Sequence, residues 1–129
     1  MAKPDLPKPT EAELAILRVL WERGPSTVRE VTEHLQDERG TGYTTALKLM
    51  QIMTEKGLVK RDESERSHVY EAVASAENTQ RQIVGDLLDR VFGGSAQQLV
   101  MQALSAKRTS KVELAEIKEL IAEFEKKAK

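Results

Sequence analysis

From Thr10 to Phe124 the chain alternates stretches whose apolar residues recur every three or four positions with short polar or glycine-bearing breaks. Leu14, Leu17, Leu20 and Trp21 share one face at helical spacing. Thr10-Glu11-Ala12-Glu13 precedes them as a capping box, in which the threonine hydroxyl takes a free helix N–H and Glu13 reaches back to the cap. The first helix is expected to run to about Arg23, where Gly24-Pro25 stops it because proline disfavours helical geometry in the residue before it. Thr27-Val28-Arg29-Glu30 is a second box, and Val28, Val31 and Leu35 line a shorter helix as far as about Gln36. A polar loop from Asp37 to Gly42 breaks the pattern. A third helix is expected from about Thr44 to Lys56, burying Ala46, Leu49, Met50 and Met53 and ending at Gly57.

The period then changes from helical to alternating. Leu58-Val59-Lys60-Arg61 and the run from Ser67 to Val73 flank a polar turn, which predicts a two-stranded hairpin. A lone hairpin is marginal in water, so it must lean on the three helices. Three helices with an appended ribbon make a winged helix-turn-helix. After Val73 the spacing is helical again: Ser75 caps a stripe of Ile83, Val84, Leu87, Leu88, Val91 and Phe92, and Gly93-Gly94 ends it. Ser95 starts a helix presenting Leu99, Val100, Ala103 and Leu104. Ser110-Lys111-Val112-Glu113 boxes a last one striped by Leu114, Ile117, Leu120, Ile121 and Phe124. The fold expected is mainly α with a small β-hairpin: residues 1–9 a flexible arm, 10–74 a winged-helix domain, 75–129 a helical tail.

A tail of this length is short for three helices to close a core alone, and self-association is the natural remedy. The residues expected at a dimer contact are Leu87, Leu88, Val91 and Phe92, then Leu99, Val100 and Leu104, then Ile117, Leu120, Ile121 and Phe124.

Composition removes other classes. There is no cysteine, so disulfides, thiol catalysis and cysteine metal sites are absent. Only His34 and His68 are histidines; they lie in different elements, with no nucleophile or carboxylate set at catalytic spacing. No catalysis, metal or cofactor is expected. The N-terminal segment lacks the apolar run of a signal peptide and no later run approaches a membrane span, so a cytoplasmic protein without membrane insertion is expected. Net charge is −1, yet between Arg39 and Arg61 five cations (Arg39, Lys48, Lys56, Lys60, Arg61) stand against Glu55 alone. That local excess suits attraction to phosphate.

In a helix-turn-helix the second helix of the pair lies in the major groove, its N-terminal residues at the base edges. On the helix from Thr44 to Lys56 the side opposite the apolar stripe presents Thr44, Thr45, Lys48 and Gln51, with Tyr43 just before it. Lys60, Arg61 and Arg66 of the hairpin are candidates for the neighbouring backbone, although Asp62, Glu63 and Glu65 share its tip. A merely solvated helix face shows the same polar residues, and Thr44 also fits the helix cap.

The runs PTEAELAILRVLWERGPSTVREV and GYTTALKLMQIMTEKGLVKR, the SHVYEA strand and the FGGSAQQLV tail resemble the penicillinase-repressor (BlaI/MecI) family of winged-helix transcriptional repressors. The most specific pieces are Tyr43-Thr44-Thr45, the Glu55-to-Val59 segment and Phe92-Gly93-Gly94-Ser95. The resemblance implies a homodimer that binds a palindromic double-stranded operator and blocks transcription. It also implies a membrane-bound sensor metallopeptidase as partner, with repression relieved by cleavage in the dimerisation helices. The counterpart of the cut bond is Gln102-Ala103, where an asparagine-phenylalanine pair stands in the resistance repressors. The alternative the residues leave open is a winged-helix module that docks a protein and does not read DNA.

Overall fold

The computed structural model describes residues 7–36 and 40–128. Most of the expected arm, residues 1–6, and the loop residues Asp37, Glu38 and Arg39 lie outside the described residues. Helix α1 spans Glu11–Arg23, and its capping box is formed: Thr10 Oγ1 accepts from the Glu13 N–H at 3.2 Å, while Glu13 Oε1 accepts from the Thr10 N–H at 2.9 Å. Gly24, at φ 88°, closes it by donating to the Leu20 carbonyl. A left-handed residue there is natural only for glycine. Next comes a two-residue strand, β1 (Ser26–Thr27), which the sequence pattern does not predict. It leads directly into α2 (Val28–Gln36), capped by the reciprocal bonds of Thr27 and Glu30. Those bonds, above all the Thr27 N–H, hold the Glu30 carboxyl below its ordinary pKa.

Helix α3 covers Tyr43–Lys56 and ends on Gly57, whose φ of 83° is the left-handed cap expected. Its start differs from expectation. Gly42 is the N-cap and Tyr43 is already helical, so Thr44 is not the cap. Strands β2 (Val59–Asp62) and β3 (Val69–Ala72) form the hairpin, with Val59 opposite Ala72 and Arg61 opposite Tyr70. The sheet nevertheless has three strands, in the order β1-β3-β2, because Ser26 pairs with Tyr70 and Thr27 with Val69. The predicted two-stranded ribbon is thus corrected to an antiparallel sheet with β3 in the middle. Two residues are too few for alternation to register, and their partner lies some forty residues away.

One core lies between the three helices and the sheet. Ile16, Leu17 and Leu20 from α1, Val28, Val31 and Leu35 from α2, and Ala46, Met50 and Met53 from α3 are buried, together with Leu58, Val59 and Tyr70. Ile16, absent from the predicted stripe, is fully buried, whereas Leu14 and Trp21 are only partly so. The Trp21 indole N–H donates to the Ala74 carbonyl at 3.0 Å and fixes the chain as it leaves the hairpin.

Glu13 has a second role beyond its cap. Its carboxylate, 2% exposed, receives the Lys56 ammonium at 2.8 Å and so joins the start of α1 to the end of α3. Burial pushes its pKa up, but the bonds from Lys56 and the Thr10 N–H outweigh that and leave it below its ordinary 4.5. A depressed carboxylate stabilises the fold above its unfolded pKa, and the contribution is lost as pH falls through the folded value. Glu13→Gln, which can keep the box but not the charge, is therefore expected to cost about 1–3 kcal/mol near neutrality. In urea titrations the gap from the unsubstituted protein should close as pH falls below the ordinary carboxylate range, through the lowered folded pKa. A gap of constant size would take the ion pair out of the account.

Helix α4 (Ala76–Arg90) begins on the cap bond from the Asn78 N–H to Ser75 Oγ at 3.0 Å, and buries Thr79. The chain divides into two compact units between Val84 and Gly85, inside this helix. The sequence pattern draws its boundary at the end of the hairpin. In the second unit α4 stops at Arg90; Gly93 and Gly94 follow it with φ 56° and 85°, and the Gly94 N–H returns to the Leu88 carbonyl at 2.8 Å. This satisfies a carbonyl that the helix end would otherwise leave open. Helices α5 (Ala96–Ala106) and α6 (Lys111–Lys127) follow, capped by Ser95 and Ser110, and neither has a buried residue.

Candidate nucleic-acid interface

Complete burial of Ala46, Met50 and Met53 fixes the rotation of α3. The opposite side is therefore held outward: Tyr43 is 52% exposed, and Thr44, Thr45, Lys48 and Gln51 are exposed with it. Because Gly42 takes the cap position, neither threonine hydroxyl is consumed by capping. The first turn of α3 carries no acidic residue, whereas α1 starts with Glu11 and Glu13 and α2 with Glu30. Its partial positive charge is thus left unneutralised. Short hydroxyls, an amide and an ammonium on a rigid helix can donate and accept at base edges or hold phosphate oxygens.

The hairpin differs from a simple basic ribbon. Lys60 Nζ lies 3.3 Å from Glu71 Oε1 across the two strands, and Arg61 lies 2.9 Å from Glu63. The Tyr70 hydroxyl, and after it the Glu63 carboxylate, raises the pKa of Arg61. Asp62 Oδ1 accepts from the Ser64 N–H at 2.9 Å and shapes the turn, which lowers the pKa of Asp62. Arg66 is exposed at the tip side of the hairpin and has no ion pair among the described residues. Of the five cations behind the local excess, Lys56 is committed to Glu13, and Arg39 lies outside the described residues. Lys48 is the one of these left on the outward side of α3.

One exposed cation escapes the sequence pattern. Arg29, the second residue of α2, stands beside Tyr43, Arg66 and His68 at a shallow cleft. Its place in a capping box was visible; the strand pairing that carries it to the hairpin was not.

In the second unit Leu88, Phe92, Leu99 and Ile117 are half-buried, while Leu87, Val91, Val100 and Leu104 are exposed. Leu120, Ile121 and Phe124 are exposed as well, Phe124 to 67%. Gln102 and Ala103 are exposed within α5. Among the described residues no group of three or more His, Cys, Asp or Glu side chains is placed to hold a metal ion. Among them, too, no helix is long and apolar enough to cross a membrane.

The family model for the penicillinase repressor matches residues 9–123. The transcriptional regulator BlaI of Mycobacterium tuberculosis is 29% identical over 92 residues, which cover 70% of this chain and 67% of the regulator. Among solved structures, the DNA-binding domain of the repressor BlaI aligns over 59% of this chain and 93% of its own, with a TM-score of 0.51 at 20% identity. The monomeric form of Bacillus licheniformis BlaI in complex with the blaP half-operator aligns over 57% of this chain and 90% of its own, again with a TM-score of 0.51 at 20% identity. At such identity the two structures establish the winged-helix fold.

Proposed function

This chain belongs to the penicillinase repressor family of transcriptional regulators, and from that premise we propose that it is a cytoplasmic homodimer that binds a palindromic operator through α3 and blocks transcription. The observation that carries the reading is the outward side of α3, where Tyr43, Thr44, Thr45, Lys48 and Gln51 stand exposed over a wholly buried inner side. Thr44, Thr45 and Lys48 read the major groove in this account; Gln51 extends that row. Tyr43 and Arg66 fix the backbone. Lys60 and Arg61 reach phosphates only by exchanging their carboxylate partners for them, so their share is the smallest.

What supports a dimer is the apolar surface of α5, α6 and the second half of α4, which a protomer leaves in water. Two half-sites read together also combine their binding free energies. Release by a membrane sensor metallopeptidase would act at Gln102-Ala103. Both residues sit within helix α5, so a protease that needs extended chain must first unwind it.

Titrating the protein against the duplex just upstream of its own gene, at two salt concentrations, tests the proposal. Lys48→Ala should weaken binding by about 1–3 kcal/mol per half-site if the ammonium meets a base. If it meets a phosphate, the salt slope should become shallower by about one instead. Failure of the unsubstituted protein to retain DNA at the lower salt would leave the protein-docking reading, which the carboxylate pairing of Lys60 and Arg61 favours.

A further inference from the structure

We propose that the cleft between the start of α2, the first turn of α3 and the hairpin seats one phosphate of the DNA backbone, held jointly by Arg29 and Arg66. The inference rests on the operator reading and adds to it a residue and a site that the recognition helix does not contain. Arg29, Tyr43, Arg66 and His68 stand on its walls, and none of its lining residues is a carboxylate. In a chain with 21 acidic residues against 20 basic ones, such a concavity is a local reversal of charge. Among the described residues neither arginine has an ion pair or a side-chain hydrogen bond, in contrast to Arg61 on β2, which is tied to Glu63.

Strand pairing brings the two together. Thr27 of β1 lies opposite Val69 of β3, so the chain enters α2 beside the residues that precede Val69, namely His68 and, two positions earlier, Arg66. Tyr43, opening α3, closes the third side. The volume, about 280 Å³, falls just below the roughly 300–1,000 Å³ range of organic-ligand sites and suits a small anion. Arginine presents a planar fork matched to two phosphate oxygens, and an exposed pair with no internal partner gives up nothing to meet them. A helix entering the major groove at Thr44 carries the adjoining strand's backbone past this cleft.

The experiment is binding of the full chain to its operator and to an unrelated duplex, for Arg29→Ala, Arg66→Ala and the double variant, across salt concentrations. A phosphate carries no sequence, so each single variant should weaken both duplexes by about the same factor and make the salt slope shallower, by at most about one per protomer. If both side chains hold the same phosphate, the double variant should lose less than the product of the single losses. Thermal unfolding of Arg29→Ala should stay where it was, since the side chain is exposed and holds no ion pair or side-chain hydrogen bond among the described residues. Unchanged affinity and slope in Arg29→Ala, while Lys48→Ala still weakens the operator complex, would overturn the cleft and leave the operator reading standing. A protein that binds neither duplex overturns both.

Discussion

Ile121→Asp is expected to convert the proposed dimer into a folded monomer whose operator affinity is lower by about 10²–10⁴-fold, the range lost when two linked half-site contacts become independent. Ile121 is 52% exposed in the protomer, beside Leu120 and Phe124 on α6, so an introduced carboxylate meets water there and not a packed core. Only in a dimer does it meet apolar surface. Burying an unpaired charge against such surface is prohibitive, and the association should give way before the protomer does. Sedimentation and operator titration on one preparation separate the outcomes. A persisting dimer would remove α6 from the interface. A monomer with undiminished affinity would remove the need for two half-sites.

The second large effect concerns the fold. Tyr70 is 1% exposed at the centre of β3, paired on one side with Ser26 of β1 and on the other with Arg61 of β2. Tyr70→Ala should destabilise by about 3–5 kcal/mol, as other aromatic deletions from cores do. Since a small domain holds only about 5–15 kcal/mol in all, much of the native margin would disappear. Tyr70→Phe, which keeps the ring, should cost far less. Urea midpoints measure both, and equal losses in the two variants would assign the effect to the hydroxyl.

The elements legible in the sequence were those marked by neighbours along the chain. Thr10 with Glu13, Thr27 with Glu30, Gly57 after α3 and the glycine pair after α4 are each complete within a few residues, and each forms as its chemistry requires. The outward row on α3 was legible for the same reason, since helical period alone sorts Met50 from Lys48. What was not legible depends on partners far away in the chain. Glu13 meets Lys56 across 43 positions, and Trp21 meets Ala74 across 53. Lys60 and Arg61 count as free cations in a composition but are carboxylate-paired in space. Arg29 looked like one surface residue of a short helix until β1 carried it to the hairpin.

The two outer strands of the sheet bear on how copies of this chain can meet. β1 offers two residues of edge directly after Pro25, which has no N–H to give, and β2 displays Lys60, Arg61 and Asp62 on the other flank. Neither flank invites a foreign strand to add itself, since short, proline-bounded or charged edges are poor templates for such growth. Crowding should therefore not lead these chains into fibrils through the ribbon.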